Sequence, residues 1–443
     1  MPEHDLNRLP TTVVPTHYDL ELAPDLEAAT FAGTAEVTVI VTEPVEVLIL
    51  HALDLEIAEA WLEGSEGERI DAVPTFDTPS ETVTLALSSV AAAGTWAFHT
   101  RFTGELNDKL VGFYRSTFTD DTGATQTLAC TQFESTHARR AFPCWDEPAF
   151  KATFAIRLVV ADGLFAVSNA METAVDELPD GRRRVHFAPT MHMSTYLVAF
   201  VIGPLEASEV VDVDGIPLRV IAVPGKADLT PFALEIGAFS LRYLSDWYGI
   251  AYPGDKLDLI AIPDFAFGAM ENLGCVTFRE TALLLDEERS TQAELQRVAD
   301  VVAHEIAHMW FGDLVTMGWW NGIWLNEAFA TFMEMMTTDA FRPEWQRWTD
   351  FGLARSAAFD TDSLSTTRAI EYEVVTAADA EGMFDVLTYE KGASVVRMLQ
   401  QYLGEDRFQA GIRLYLNTHQ FSNTETTDLW DAIEEATGEP VRQ

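Results

Sequence analysis

The sequence is short of cysteine, of positive charge and of long apolar runs. Its three cysteines, Cys130, Cys144 and Cys275, argue by number and spacing against a disulfide framework or a zinc knuckle, and small buried side chains are expected instead. No run of about 18 uninterrupted apolar residues occurs, so no membrane-spanning helix is predicted. The start, MPEHDLNRLPTTVVPTHYDL, has no basic region followed by an apolar one, which a secretion signal requires. These absences predict a cytoplasmic protein.

The scarcity of positive charge excludes two classes of partner. The 443 residues carry 28 Lys and Arg against 70 Asp and Glu, a formal net charge of −42. Because phosphates and anionic lipids repel such a chain, neither nucleic acid nor a membrane is expected as a partner. A strongly solvated surface explains the charge most simply, and a preference for basic substrates is the alternative. The oligomeric state is not indicated.

The residue pattern changes near position 205. The first half alternates apolar and polar residues between Gly, Pro and Asp turns, which predicts a β-rich domain over 1–205 built from many short antiparallel strands. Asp214-Gly215 predicts a hairpin turn near the changeover. Beyond Phe232 apolar residues recur at spacings of three and four, which predicts a mainly helical domain over 206–443. The predicted strand segments are TFAGTAEVTVIV, VEVLIL, TVTLAL, TWAFHTRF, FAIRLVV, RRVHFAP and YLVAFVIG. The predicted helical segments are FALEIGAFSLRYLSDWYGI, the stretch from Thr291 to Asp313, LNEAFATFMEMMTTDAF and YEKGASVVRMLQQYL.

A metal site is predicted on one of these helices. Thr291 and Glu294 form a capping-box start, and the apolar stripe that follows places His304 and His308 on a helix that Gly312 breaks. At i and i+4 the two imidazoles project from one face and are able to share one tetrahedral zinc ion. A second helix, WLNEAFATFMEMM, supplies Glu327 as the third ligand. Two histidines and one carboxylate leave the fourth position open, as in catalytic zinc sites.

Glu305 directly follows His304, so its side chain is not placed to bind the metal alongside the two histidines. It is predicted to act as a general base on a water in the fourth position. In a chain with ten histidines the His-Glu-x-x-His pattern arises by chance in about one case in fifty. The alternative is a helix with two ordinary histidines and a solvated glutamate. For Glu334, orienting a zinc-binding histidine and simple solvation are both consistent with the sequence.

These residues and three other motifs resemble the gluzincin zinc aminopeptidase family, of the aminopeptidase N and leukotriene hydrolase type. The resemblance runs over nearly the whole chain, in the family's order. Its segments are TQFESTHARRAFPCWDEPAFKATF (131–154), GAMEN (268–272), HEIAHMWFGDLVTMGWWNGIWLNEAFA (304–330) and YEKGASVVRML from position 389. It implies an α+β multidomain fold, in which an antiparallel β-rich, saddle-like N-terminal domain precedes a thermolysin-like, mainly helical catalytic domain.

The resemblance also implies residue roles. Glu271 is expected to bind the free amine of a peptide, with Gln132 and Glu134 completing that anchor from the β-rich domain. Tyr389 is expected to stabilise the oxyanion, while the backbone and side chains of the GAMEN segment meet the substrate. These last residues are Gly268, Ala269 and Met270.

The implied function is a zinc-dependent aminopeptidase that uses one zinc ion and acts on peptides with a free N-terminus. The alternatives are an epoxide hydrolase of the leukotriene type, a zinc endopeptidase, and a non-catalytic or weakly active truncated member. The chain departs from the family at Gly322, where relatives usually have Asp, and at Ala328, where they usually have Gly; only local adjustment is expected. It ends where relatives continue into a helical C-terminal domain, so a fragment or a natural short form is expected.

Overall fold

The structure of the protein is a computed structural model that describes residues 8–442. The chain forms two compact units, which divide between Glu206 and Ala207. The functional assignment of the predicted domains 1–205 and 206–443 stays a prediction, and their outer ends, residues 1–7 and 443, lie outside the described residues. Among the residues described, no helix has both the length and the apolar character that crossing a membrane requires.

The described part of the first unit is built from strands and short 3₁₀ turns. Its strands are β1 (Val13–Asp25), β2 (Thr30–Val41), β3 (Val45–His51), β4 (Leu55–Gly64), β5 (Arg69–Asp77), β6 (Thr82–Ala91), β7 (Gly94–Glu105), β8 (Gly112–Thr119), β9 (Thr125–Gln132), β10 (Thr153–Ala161), β11 (Phe165–Ser168), β12 (Glu172–Glu177), β13 (Arg182–Phe187) and β14 (Phe200–Gly203). One sheet has the order β12-β13-β10-β1-β2-β7-β4-β5-β6-β3, and a second has the order β11-β14-β9-β8. The predicted β-rich first half is confirmed.

Alternation of apolar and polar residues explains why these segments are strands with one face in the core. In β2 every second residue from Phe31 to Val41 is buried, and the residues between them are mostly exposed. Two details differ from the sequence prediction. The strand in YLVAFVIG starts only at Phe200, because Thr195–Leu197 form a 3₁₀ turn. Strands β1 and β10 pair in parallel, since the chain passes through eight strands before it returns to β1.

The second unit is mainly helical, as predicted. Its elements are β16 (Val211–Val213), β17 (Ile216–Ala222), α1 (Pro231–Tyr248), β18 (Leu257–Ile262), β19 (Ala269–Met270), β20 (Cys275–Arg279), α2 (Gln292–His308), β21 (Val315–Met317), α3 (Trp324–Phe341), α4 (Arg347–Asp362), α5 (Ala377–Glu381), α6 (Gly392–Leu403), α7 (Glu405–His419), β22 (Ser422–Thr424) and α8 (Thr426–Thr437); the short strand β15 (Glu206–Ala207) lies at the division. Strands β17, β18, β20 and β19 are neighbours in this order in one sheet. The hairpin predicted at Asp214-Gly215 joins β16 to β17, with φ of 56° and 93° at the two turn residues.

Helix α3 is the central helix of the second unit. Every residue from Trp324 to Thr338 is buried except Glu334, which is half-buried, and α3 packs against α1, α2, α4 and α6. A polar side chain in such a helix requires a partner, because an unpaired buried polar group is costly. The carboxylates of Glu327 and Glu334 therefore indicate a site on this helix.

Candidate metal centre

Helix α2 presents the two histidines to α3. It starts as predicted, since Thr291 N–H donates to Glu294 Oε2 over 2.8 Å and Glu294 N–H donates to Thr291 Oγ1 over 3.4 Å. It ends at His308, four residues before Gly312, so the predicted extension to Asp313 is wrong. The chain turns earlier because Asp313 N–H donates to His308 O over 3.0 Å and Gly312 adopts a φ of 136°.

Hydrogen bonds to the outer nitrogens of the two histidines settle their tautomers. His308 Nδ1 lies 2.9 Å from Phe311 O, and a carbonyl only accepts, so Nδ1 carries the proton. His304 Nδ1 lies 3.1 Å from Glu334 Oε2 and donates to that carboxylate. Both Nε2 atoms therefore face Glu327, where each donates a hydrogen bond when it is protonated and offers a lone pair to a metal when it is not.

Three ligand atoms converge between α2 and α3. His304 Nε2 and His308 Nε2 are 3.0 Å apart, and Glu327 Oε2 lies 3.2 Å from the first and 3.3 Å from the second. Tetrahedral zinc with bonds of 2.0–2.1 Å has edges of about 3.3 Å between its ligand atoms. The three atoms thus already have the spacing of three corners of such a site, and the donor set fits zinc.

The electrostatics of the centre favour a cation. Burial lowers the pKa of His304, but its hydrogen bonds to Glu327 and Glu334 outweigh burial and place the pKa well above the ordinary value. Burial raises the pKa of Glu327, yet the charge of His308 and the hydrogen bonds from both histidines bring it down to about 2. The carboxylates therefore stabilise positive charge where the ligand atoms meet.

Two further buried carboxylates adjoin the ligands. Glu305 is 6% exposed, and burial raises its pKa to about 8 against the attraction of the two histidines. Glu271 is 3% exposed, with Oε1 3.9 Å from His308 Nδ1. Within residues 8–442, neither Glu305 Oε2 nor Glu271 Oε1 accepts a hydrogen bond. Buried oxygens without donors are ready to accept a proton or to bind an ammonium group.

The GAMEN segment holds Glu271 in place through its neighbour. Ala269–Met270 form β19 at the edge of the sheet, with Met270 buried, Ala269 half-buried and Gly268 exposed. Asn272, fully buried, donates from Nδ2 to Thr277 Oγ1 over 3.1 Å and also to two main-chain carbonyls. This amide closes the turn that places Glu271 beside α2, a role that the sequence did not indicate.

Tyr389 lies beside the first histidine. Its ring centroid is 6.0 Å from that of His304, with an angle of 27° between the ring planes. Tyr389 belongs to a π-helical turn, Leu387–Lys391, which leads into α6. π-helical turns occur frequently at functional sites. The predicted helix at YEKGASVVRMLQQYL therefore starts with a π-helical turn and becomes α-helical at Gly392.

Two cations fix this turn, Arg368 from outside it and Lys391 as its last residue. Arg368 Nη2 donates to Thr388 Oγ1 over 2.9 Å, and Lys391 Nζ donates to Asp362 Oδ1 over 2.6 Å and to the main-chain oxygen of Arg368 over 2.8 Å. They fix the residues on both sides of Tyr389. Sequence reasoning missed Arg368, because it lies in an aperiodic stretch 21 residues before Tyr389 with no motif around it.

Gln132 and Glu134 belong to the first unit. Gln132 ends β9 and Glu134 follows in the next loop, with exposed fractions of 2% and 8%. Gln132 Nε2 donates to Glu134 O over 3.4 Å, and the peptide bond between Glu134 and Ser135 is cis. The two side chains are thus buried neighbours.

Comparison with known proteins finds similarity along nearly the whole chain. A family model described as the peptidase M1 N-terminal domain matches residues 14–197, and one described as the peptidase family M1 domain matches residues 232–443. Aminopeptidase M1 of Arabidopsis thaliana is 45% identical over 441 residues, which cover 98% of this chain and 50% of that protein. Puromycin-sensitive aminopeptidase of Caenorhabditis elegans is 43% identical, and mitochondrial aminopeptidase 2 of Saccharomyces cerevisiae is 42% identical; each match covers 98% of this chain and 46% of the relative. The chain thus spans about half the length of these relatives.

Proposed function

This chain belongs to peptidase family M1, a family that implies a bound metal, and we propose that it is a zinc aminopeptidase. One zinc ion would be held by His304, His308 and Glu327. The observation that carries the proposal is the convergence of two Nε2 atoms and one Oε2 atom at 3.0–3.3 Å, beside the buried carboxylate of Glu305. Relatives at 42–45% identity bear the name aminopeptidase, which supports peptides as the substrate class.

The chemistry divides between the metal and the protein. Zinc in this site supplies a Lewis acid, which polarises a carbonyl oxygen and lowers the pKa of water. Glu305 removes a proton from the attacking water and delivers it to the nitrogen of the leaving amine. Burial raises the pKa of Glu305, and a carboxylate with a raised pKa is the stronger base.

Negative charge accumulates on the carbonyl oxygen of the peptide as water adds. The Tyr389 hydroxyl, on a turn held by Arg368 and Lys391, donates a hydrogen bond to that oxygen. The ring lies beside His304, with 6.0 Å between the two ring centroids. Removal of the hydroxyl should therefore destabilise the transition state more than it destabilises the bound substrate.

The free amine of the substrate selects the first peptide bond. Glu271 has an oxygen that accepts no hydrogen bond within the described chain, and an α-ammonium group is a matching donor. Gln132 and Glu134 are proposed to take part in binding a substrate amine, on the strength of the family segment around them. Backbone groups of Gly268, Ala269 and Met270 are proposed to bind the substrate main chain, because β19 is an edge strand.

We also propose a cytoplasmic location. The three cysteines are buried thiols, as expected in a reducing compartment.

The test is a pair of chromogenic substrates that differ only in the amine. An aminoacyl anilide with a free amine should be cleaved by the zinc-loaded protein, while its N-acetylated twin should resist. Cleavage of both would indicate an endopeptidase. Cleavage of neither, with zinc bound, would contradict the proposal. A leukotriene-type epoxide substrate, assayed in parallel, should remain intact.

A further inference from the structure

A line of polar side chains runs along the contact between α2 and α3. Asp300, His304 and His308 follow each other at intervals of four on α2, so they share one face of that helix. Glu327 lies opposite the two histidines, and Glu334 and Thr338 continue the line along α3. We call these six residues the polar seam. The metal centre occupies one end of the seam and Asp300 occupies the other.

Arg347 closes the end of the seam that is remote from the metal. It is the first residue of α4 and is 7% exposed. Its Nε donates to Asp300 Oδ1 over 3.2 Å and its Nη2 donates to Asp300 Oδ2, a two-point contact that fixes the carboxylate plane. Its Nη1 donates to Asp350, and its backbone N–H donates to Asp339 Oδ1 over 3.0 Å. Asp350 thus holds the guanidinium, and Asp339 holds the main chain of Arg347.

The contact matters because the negative charges of Asp300 and Glu334 repel each other across the contact between α2 and α3. Burial and the charge of Glu334 raise the pKa of Asp300 to about 7, although Arg347 and Thr338 oppose that rise. Glu334 is also the acceptor for His304 Nδ1–H. Without Arg347, the buried carboxylate of Asp300 would lose the cation that offsets its charge and would repel Glu334 more strongly. A displacement of Glu334 would weaken the hydrogen bond that orients His304.

We infer that Arg347 is a positioning residue for the metal centre, which acts through Asp300 and Glu334 on the orientation of the His304 ring. The inference rests on the proposed function, since it concerns the zinc site proposed there. Arg347 does not touch the ligands. It binds Asp300 and offsets the negative charge that acts on Glu334, so that Glu334 keeps its position as the acceptor for His304 Nδ1–H.

The test measures the dissociation constant for zinc, by competition with a chromogenic chelator, in Arg347→Met and in Asp300→Asn. Loss of a partner that orients a ligand typically weakens metal binding about 10–100-fold, and we expect about tenfold in both variants because the effect is indirect. Arg342→Met is the matched control. Arg342 lies five residues earlier, pairs with Glu287 over 2.8 Å and lies over the rings of Phe341 and Trp345, so this change removes a structural arginine outside the seam.

Four outcomes decide the matter. Weaker zinc binding in Arg347→Met and Asp300→Asn, with Arg342→Met like wild type, supports the inference. Wild-type affinity in folded Arg347→Met and in Asp300→Asn overturns it while leaving the proposed function intact. If Arg347→Met does not fold, the nearly isosteric Asp300→Asn decides by the same criterion. A wild-type chain that binds no zinc overturns the proposed function and this inference together.

Discussion

At the scale of single residues, four carboxylates with little or partial exposure line the candidate metal centre: Glu271, Glu305, Glu327 and Glu334. Buried carboxylates are costly, and a fold keeps them only where a cation or a donor offsets the cost. Motifs in the sequence predicted functional roles for Glu271, Glu305 and Glu327. Glu334 remained open between solvation and a role beside histidine, because only the contact with α2 distinguishes the two. Helical periodicity is uninformative in α3, where almost every side chain is buried.

Glu271→Gln should reduce kcat/KM for a free-amine substrate by about 10–100-fold, because a hydrogen bond to a charged group contributes roughly 1.5–3 kcal/mol. Zinc content should stay at the wild-type level. Steady-state kinetics on the aminoacyl anilide measures the effect, and the exposed Glu288→Gln is the control. An unchanged kcat/KM would show that Glu271 does not bind the amine.

At the scale of elements, the helix start and the turn that neighbouring residues determine were predictable from the sequence. The features that tertiary contacts determine were not. The start of α2 follows from two side chains three residues apart, and the β16–β17 turn follows from Asp214-Gly215. The end of α2 was misplaced, because hydrogen bonds to His308 O and Phe311 O turn the chain before Gly312. The π-helical turn at Tyr389 is held by a contact with Arg368, which lies outside the segment YEKGASVVRML, so no pattern within that segment indicates it.

The close approach of α3 and α6 gives a prediction about Ala328, where relatives usually have Gly. A Cβ on Gly392 would lie 2.6 Å from the Cβ of Ala328. Gly392→Ala should therefore lower the free energy of unfolding by about 1–3 kcal/mol, the usual cost of overpacking. The double variant Ala328→Gly/Gly392→Ala should recover most of this loss, because it exchanges the two residues across the contact. Urea unfolding measures the free energy of unfolding of the wild type and of the two variants. A double variant no more stable than Gly392→Ala would show that the contact with Ala328 is not the cause of the loss.

At the scale of the whole molecule, the net charge of −42 affects the stability of the fold. An excess of one sign destabilises a compact chain through self-repulsion, and added salt shortens the reach of that repulsion from about 10 Å at 0.1 M to about 3 Å at 1 M. The melting temperature should therefore rise with ionic strength, equally in NaCl and in choline chloride. A melting temperature that falls with salt would show that the ion pairs of the fold outweigh the repulsion.

If the α2–α3 centre is catalytic, Glu305→Gln should retain zinc and lose turnover. Zinc content and turnover of the aminoacyl anilide are measured on the same preparation. We expect wild-type zinc, because Glu305 is not a ligand, and turnover reduced by about 10²–10⁴-fold, the usual contribution of a general base. Near-normal turnover with zinc bound would contradict this expectation.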